Sequence, residues 1–274
     1  MEYVEHAPLP ALAGAVRTVW IQSTGDTAHV QRHLPTGGVE MHVPIGGDAR
    51  LLGPLTGPVV DVIPPRTTVV GVRFHPGAAP SVPAALGELV DRHLRLTDLR
   101  CTGGLEDEVA AAGSPQGALD VLQQHVLHWM RESRPPDPRL VEVIGLLMPW
   151  HPVEVTSVAD YVGLSMSQLR RRCIHVVGVG PKVLQRTLRF QGFLALAQAG
   201  AVASGRRGVD GVAGVAADVG YADQAHLSRE CRRLAGLTPT ALLGGDIDRC
   251  ACGHDHTASF MPFLASRLRP PLLR

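Results

Sequence analysis

Between residues 220 and 239 the chain reads GYADQAHLSRECRRLAGLTP, and four of these side chains suit the reading of base edges. Leu227, Cys231 and Leu234 recur at i, i+4 and i+7, the spacing of a helix face turned to a core. That leaves Gln224, Ala225, Ser228 and Arg229 together on the other side. Gln and Arg carry the donor geometry that matches adenine and guanine in the major groove, Ser reads either, and Ala permits close approach to a thymine methyl. A solvated helix face has the same composition, so this segment alone does not settle its chemistry.

Metal chemistry is the second possibility. Residues 249–257, RCACGHDHT, space Cys250, Cys252, His254 and His256 two apart. Thiolate and imidazole together suit Zn or another soft or borderline transition metal, and alternation puts all four on one side of an extended segment. An extended strand cannot wrap a tetrahedral ion, so the segment would have to turn at Gly253 or recruit a donor such as Asp255. The spacing is not a standard zinc motif, and a mobile tail with incidental donors is the competing reading. In the other half, His33, His42 and His75 lie on or beside predicted strands, with Glu40 two residues from His42. That grouping is compatible with a cupin-like metal site but has no tight ligand motif. Structural or exposed histidines, or an anion held by Arg73 and His75, are the alternatives. No motif demands a cofactor.

The elements able to position the first group are legible around it. Residues 158–172, VADYVGLSMSQLRRR, repeat the plan: a short helix with Val158 and Val162, a turn at Gly163, and Ser165 as N-cap of a basic helix. Leu169, Arg171 and Cys173 correspond to Leu227, Arg229 and Cys231, each pair 58 residues apart. Two such units can set both reading helices in successive major grooves, about one turn of DNA apart, without a dimer.

With its two units, the region from about residue 140 to 243 resembles the AraC family of bacterial transcription regulators. The resemblance is carried by GYADQAHLSRECRRLAGLTP and by LSMSQLRRRCIHVVGVGPKVLQRTLRF. It implies two helix-turn-helix units joined by a long helix, here starting at Pro181 and running to about residue 202. It places the base-facing positions on Ser167, Arg170 and Arg171 in the first unit and on Gln224, Ala225, Ser228 and Arg229 in the second. It also implies double-stranded DNA and RNA polymerase as partners. The chain departs from the family at Cys173 and Cys231, where Phe is usual, and a thiol there leaves a void unless neighbours fill it. Gly192, Gly200 and the Gly- and Val-rich run at 208–220 make these helices depend on packing rather than propensity.

The amino-terminal half reads differently. Val39, Met41 and Val43 alternate with Glu40 and His42, and short apolar runs follow at 59–63 and 67–74, a pattern of small antiparallel barrels or sandwiches. From about residue 84 the pattern turns helical, and Leu119, Leu122, Val126 and Trp129 form one stripe. RHLPTGGVEMHV and VVGVRFHPGAA are similar to the domain that precedes the DNA-binding part of many actinobacterial AraC-like proteins, which implies a role in sensing a small-molecule or metal effector or in homodimer contacts. The expected fold class is therefore α+β, an antiparallel barrel or sandwich with helices followed by an all-α part. The expected domains are 1–134, 135–245 and a tail at 246–274, with RPPDP at 134–138 as the first boundary.

Charge divides along the same line. Residues 150–245 hold 11 basic and 6 acidic residues, a net +5, and residues 1–134 hold 10 and 14, a net −4. An excess of this size in one half supports phosphate contact there and argues against a protein that coats nucleic acid over its whole surface. No long apolar run and no signal-peptide pattern occur, so no membrane role is expected and a cytoplasmic location is. The 5 cysteines argue for reduced thiols or metal ligands rather than a disulfide framework. Beside the leading reading, a DNA-binding regulator controlled by an effector, two others stay open. One is a metal- or redox-responsive regulator using the tail cluster. The other is an alkylation-repair enzyme, against which the absence of a recognisable acceptor-cysteine motif, catalytic triad or phosphate loop counts.

Overall fold

A computed structural model describes residues 1–99, 103–204, 212–243 and 256–267, with eight strands and ten α-helices among them. The strands all lie in the first hundred residues: β1 Glu2–His6, β2 Val16–Ser23, β3 His29–His33, β4 Glu40–Pro44, β5 Arg50–Leu52, β6 Val59–Ile63, β7 Thr68–Phe74 and β8 His93–Arg95. They form a six-stranded antiparallel sheet in the order β1-β2-β7-β4-β5-β8 and a separate two-stranded antiparallel sheet, β3-β6. The α+β expectation holds, with strands where the alternation and the apolar runs put them.

Period-two alternation gives the large sheet two unlike faces. Val19, Met41, Val43, Leu51, Val70 and Val72 form one, packed with Leu119, Leu122 and Val126. Those three belong to α2, Pro115–Glu132, which follows α1, Leu105–Ala111, and starts where the Ser114 hydroxyl accepts a hydrogen bond from Gly117 N. The opposite face is polar and carries Glu5, Thr18, Gln22, Glu40, His42 and Arg73, with Trp20 lying across Gly71 on the paired strand.

The remaining elements are helical. α3, Pro138–Leu146, is capped by Asp137 and opened by Pro138, followed by α4 Val155–Tyr161, α5 Met166–Val177, α6 Pro181–Ser204, α7 Val212–Asp218, α8 Gln224–Ala235, α9 Pro239–Leu243 and α10 Thr257–Arg267. Gly163 takes φ +65° between α4 and α5, a conformation that side chains rarely adopt. Ser165 and Gln168 then form a reciprocal capping box at the start of α5. At the start of α8, Asp223 Oδ1 accepts from His226 N at 2.6 Å.

Both thiols at the expected aromatic positions are fully buried, and aromatic rings from other helices join them. The cluster around Cys231 contains Phe190 and Phe193 of α6, and the cluster around Cys173 contains Phe263 of α10. The departures from the family pattern at 173 and 231 therefore coincide with bulk supplied by the linking helix and by the last helix.

A methyl group at Gly71 would run into the Trp20 indole. Gly71→Ala should cost about 1 to 3 kcal/mol through overpacking, read as a lower denaturation midpoint with a red-shifted Trp fluorescence as the indole is pushed out.

Candidate functional site

The α4–α5 and α7–α8 pairs present their second helices outward. Ser167, Arg170 and Arg171 on α5 are exposed, as are Gln224, Ala225 and Arg229 on α8, and Ser228 is half-buried beside them. Leu169, Cys173, Leu227, Cys231 and Leu234 are at most 1% exposed on the inner sides of the same helices. No ion pair involves Arg170, Arg171 or Arg229 among the described residues, so their guanidinium donors are available to a partner. The two second helices are tied to α6, a 24-residue helix. Arg186 Nε of α6 lies 2.9 Å from Glu230 Oε2 of α8, and Leu184 and Leu188 share the core of α5. Burial pushes the Cys173 thiol up to about 11 and the Cys231 thiol, with Glu230 adding to the effect, up to about 12. At neutral pH both are protonated hydrophobes, not reactive thiolates.

The polar face of the large sheet forms a second site that sequence reasoning found only in part. β3-β6 covers it on one side, with Gln31 hydrogen-bonded to Gln22 at 2.8 Å and the His33 ring centroid 5.1 Å from that of His42. α10 closes another side. Arg73 is at the centre: its Nε donates to Glu40 Oε1 at 2.8 Å, and its Nη1 donates to Glu5 Oε1 at 3.2 Å and to Ser259 Oγ at 2.7 Å. Desolvation works against every charge here, but the guanidinium and the neighbouring imidazoles reverse it for the carboxylates. Glu40 is held far below the usual range, and Glu5, bonded to His256 and beside Arg73, sits at about 2. His42 is driven the other way, down to about 4 by burial, and is neutral at physiological pH. Asp61 Oδ2 lies 3.3 Å from His33 Nε2 and 3.1 Å from His93 Nδ1.

The histidines of the sequence reading thus divide. His33, Glu40 and His42 come together, each with a donor atom within 4.8 Å of the others. His75 does not join them and is lowered to about 4 by its own burial and by Arg17. Of the tail cluster, Cys250, Cys252 and His254 lie outside the described residues, and His256 Nδ1 is engaged by Glu5 Oε1 at 3.0 Å.

Glu5, Arg17, Gln191 and Ser259 did not stand out in the sequence. Arg17, 2% exposed, donates from Nε to the Ser259 carbonyl and from Nη2 to Gln191 Oε1 at 2.8 Å, and its guanidinium lies 4.6 Å from the Phe263 ring centroid. Gln191 is on α6, and its Nε2 donates in turn to Pro35 O at 2.8 Å. The buried network therefore ends on the helix that joins the two outward-facing units. The far end of α10 reaches the same units: Trp150 Nε1 donates to Ser266 Oγ at 2.8 Å, and Arg267 pairs with Asp218 of α7 at 3.0 Å. Nearby, Arg32 Nη1 donates to Ala235 O at the end of α8.

Because the Glu5 carboxyl is depressed from 4.5 to about 2, its contribution to stability is complete above pH 4.5 and is lost as pH falls toward 2. Up to about 3 kcal/mol is at stake. Glu5→Gln should destabilise the protein at neutral pH, and the gap to the unaltered chain, measured by denaturation, should close between those two pH values. A gap independent of pH would show that the carboxylate charge is not what matters.

Residues 158–244 match a family model described as a helix-turn-helix domain, and residues 4–95 match a domain of unknown function, DUF6597. No curated protein matches the chain. Among solved structures it is similar to ToxT from Vibrio cholerae, at 10% identity and a TM-score of 0.45 over 89% of this chain and 98% of that one. A ToxT structure bound to (E)-4-(8-methylnaphthalen-1-yl)but-3-enoic acid gives 12% identity and the same score over 89% and 99%. Likenesses this distant say nothing of what this chain binds. Among the described residues no helix is long and apolar enough to cross a membrane. The helix-turn-helix match spans the α4–α5 and α7–α8 pairs and gives the chain the DNA-binding domain of a transcription regulator, preceded by a DUF6597 domain.

Proposed function

We propose that the chain reads two successive major grooves of one duplex, with α5 and α8 as the reading helices. The observation that carries this reading is the pair of exposed polar sets, Ser167, Arg170 and Arg171 on α5 and Gln224, Ala225, Ser228 and Arg229 on α8, fastened to a single 24-residue helix. At 1.5 Å per residue that helix is about 36 Å long, close to the roughly 34 Å turn of B-DNA that separates neighbouring faces of the major groove. Arg171 and Arg229 supply the bidentate donors for guanine and Gln224 the amide for adenine.

Control by an effector through the amino-terminal part is the finer half of the proposal. Its support is the run of buried hydrogen bonds from Arg73 and Glu5 through Ser259 and Arg17 to Gln191 on α6. A ligand that rearranges the polar layer must rearrange partners of the linking helix.

Arg171→Ala and Arg229→Ala should each weaken binding to a selected DNA site by about 1 to 3 kcal/mol and relax preference at one base pair. Titration against the selected fragment and a scrambled one separates the roles. Equal losses on both would reduce these arginines to phosphate contacts and sink the direct-readout reading.

A further inference from the structure

The three donors that the fold gathers between the sheets are not used by the DNA-reading surface. Glu40 and His42 point the same way because they are two residues apart on β4. His33, the last residue of β3, meets them from the covering pair of strands. One donor atom each from His33, Glu40 and His42 lies within 4.8 Å of the others.

We infer that His33, His42 and Glu40 form a binding site for one divalent transition-metal ion of the zinc class. Ligands at about 2.0 to 2.2 Å from a tetrahedral ion stand roughly 3.4 Å apart. His42 Nε2 and Glu40 Oε2 are already 3.3 Å apart, so an ion needs only a small closing movement of His33. The surroundings are those of a ligand set held in place. Arg73 Nε donates to Glu40 Oε1 at 2.8 Å and its Nη2 to Oε2 at 3.4 Å, which fixes the carboxylate with Oε2 beside His42. Asp61 Oδ2, 3.3 Å from His33 Nε2, supplies a carboxylate that holds this imidazole in place.

Charge favours a cation over an anion. The network contains three carboxylates, Glu5, Glu40 and Asp61, and two guanidiniums, Arg17 and Arg73. Arg73, the obvious anion receptor, already spends its donors on Glu40, Glu5 and Ser259. One further atom, His93 Nε2 beside Asp61, is buried with no hydrogen-bond partner among the described residues. The protein's own groups therefore do not close this layer chemically. Imidazole nitrogen with carboxylate oxygen is a donor set for Zn, Co, Ni or Cu rather than for Mg or Ca.

The inference goes beyond the DNA-reading proposal and does not depend on it. Its test uses the full chain carrying Cys250→Ser, Cys252→Ser and His254→Ala, so that the tail donors cannot answer for the buried ones. Titrated with Co(II), this protein should take up one equivalent, with visible ligand-field bands and no thiolate charge-transfer band. Adding His33→Ala or His42→Ala should weaken the binding at least about tenfold, with circular dichroism confirming the fold. No stoichiometric uptake, or an affinity unchanged by both histidine substitutions, would overturn the site. Should either variant fail to fold, pulsed electron paramagnetic resonance of the Cu(II)-loaded parent counts bound imidazoles directly: two support the site, and fewer reject it.

Discussion

The need of two buried guanidiniums for buried hydrogen-bond acceptors is the constraint on which the rest of this structure depends. An ionised side chain removed from water without a partner is so unfavourable that the fold must supply one with good geometry. Arg73 meets this condition with Glu40 and Glu5, and Arg17 with the Ser259 carbonyl and Gln191. Those partners come from β4, β1, α10 and α6, so satisfying two side chains commits four distant stretches of chain to one arrangement. The cost of leaving any of them unpaired is what makes that arrangement specific.

The helix-turn-helix units need such support because they are short. α4 and α7 have seven residues each, below the length at which an isolated helix is stable in water. Their order comes from packing against α6, where Phe190 and Phe193 meet Val219, Tyr221 and Cys231 on one unit while Leu184 and Leu188 meet Leu169 and Cys173 on the other. α6 is thus a spine with a separate core on each unit, and the Arg186–Glu230 pair adds a polar tie to the second. The buried network joins this spine at Gln191, between Phe190 and Phe193 of the second core.

Much of this was legible in the sequence where a local rule applied. Ser165 before a basic helix, Pro181 at a first helical turn and the alternation at 39–43 each state a backbone preference within a few residues, and the structure follows them. Of the three-donor cluster, the sequence shows Glu40 and His42 two apart on one strand and His33 on or beside another, but not that the two strands meet. His33 joins through a pairing of β3 with β6 that no local pattern encodes. Arg17 was concealed for a different reason: the register of β2 against β7 shifts between Val16 and Thr18, and across a bulge simple alternation no longer says which way a side chain turns. The partnership of Glu5 with Ser259 spans 254 residues, a separation at which periodicity is silent.

α10 lies beyond residue 244, where the match to the helix-turn-helix domain ends, yet it touches the sheet at β1 and β2 as well as α6 and α7. Its first turns bind Glu5 and Arg73, and its last turn binds Trp150 and Asp218. Those two ends are joined by about 16 Å of continuous helix. Thermodynamic reciprocity then applies to it: whatever changes the free energy of docking this helix on the sheet changes by the same amount the free energy of any event, DNA binding included, that needs its other end in place. A segment outside both recognised domains is thereby one physical route by which the two can exchange free energy.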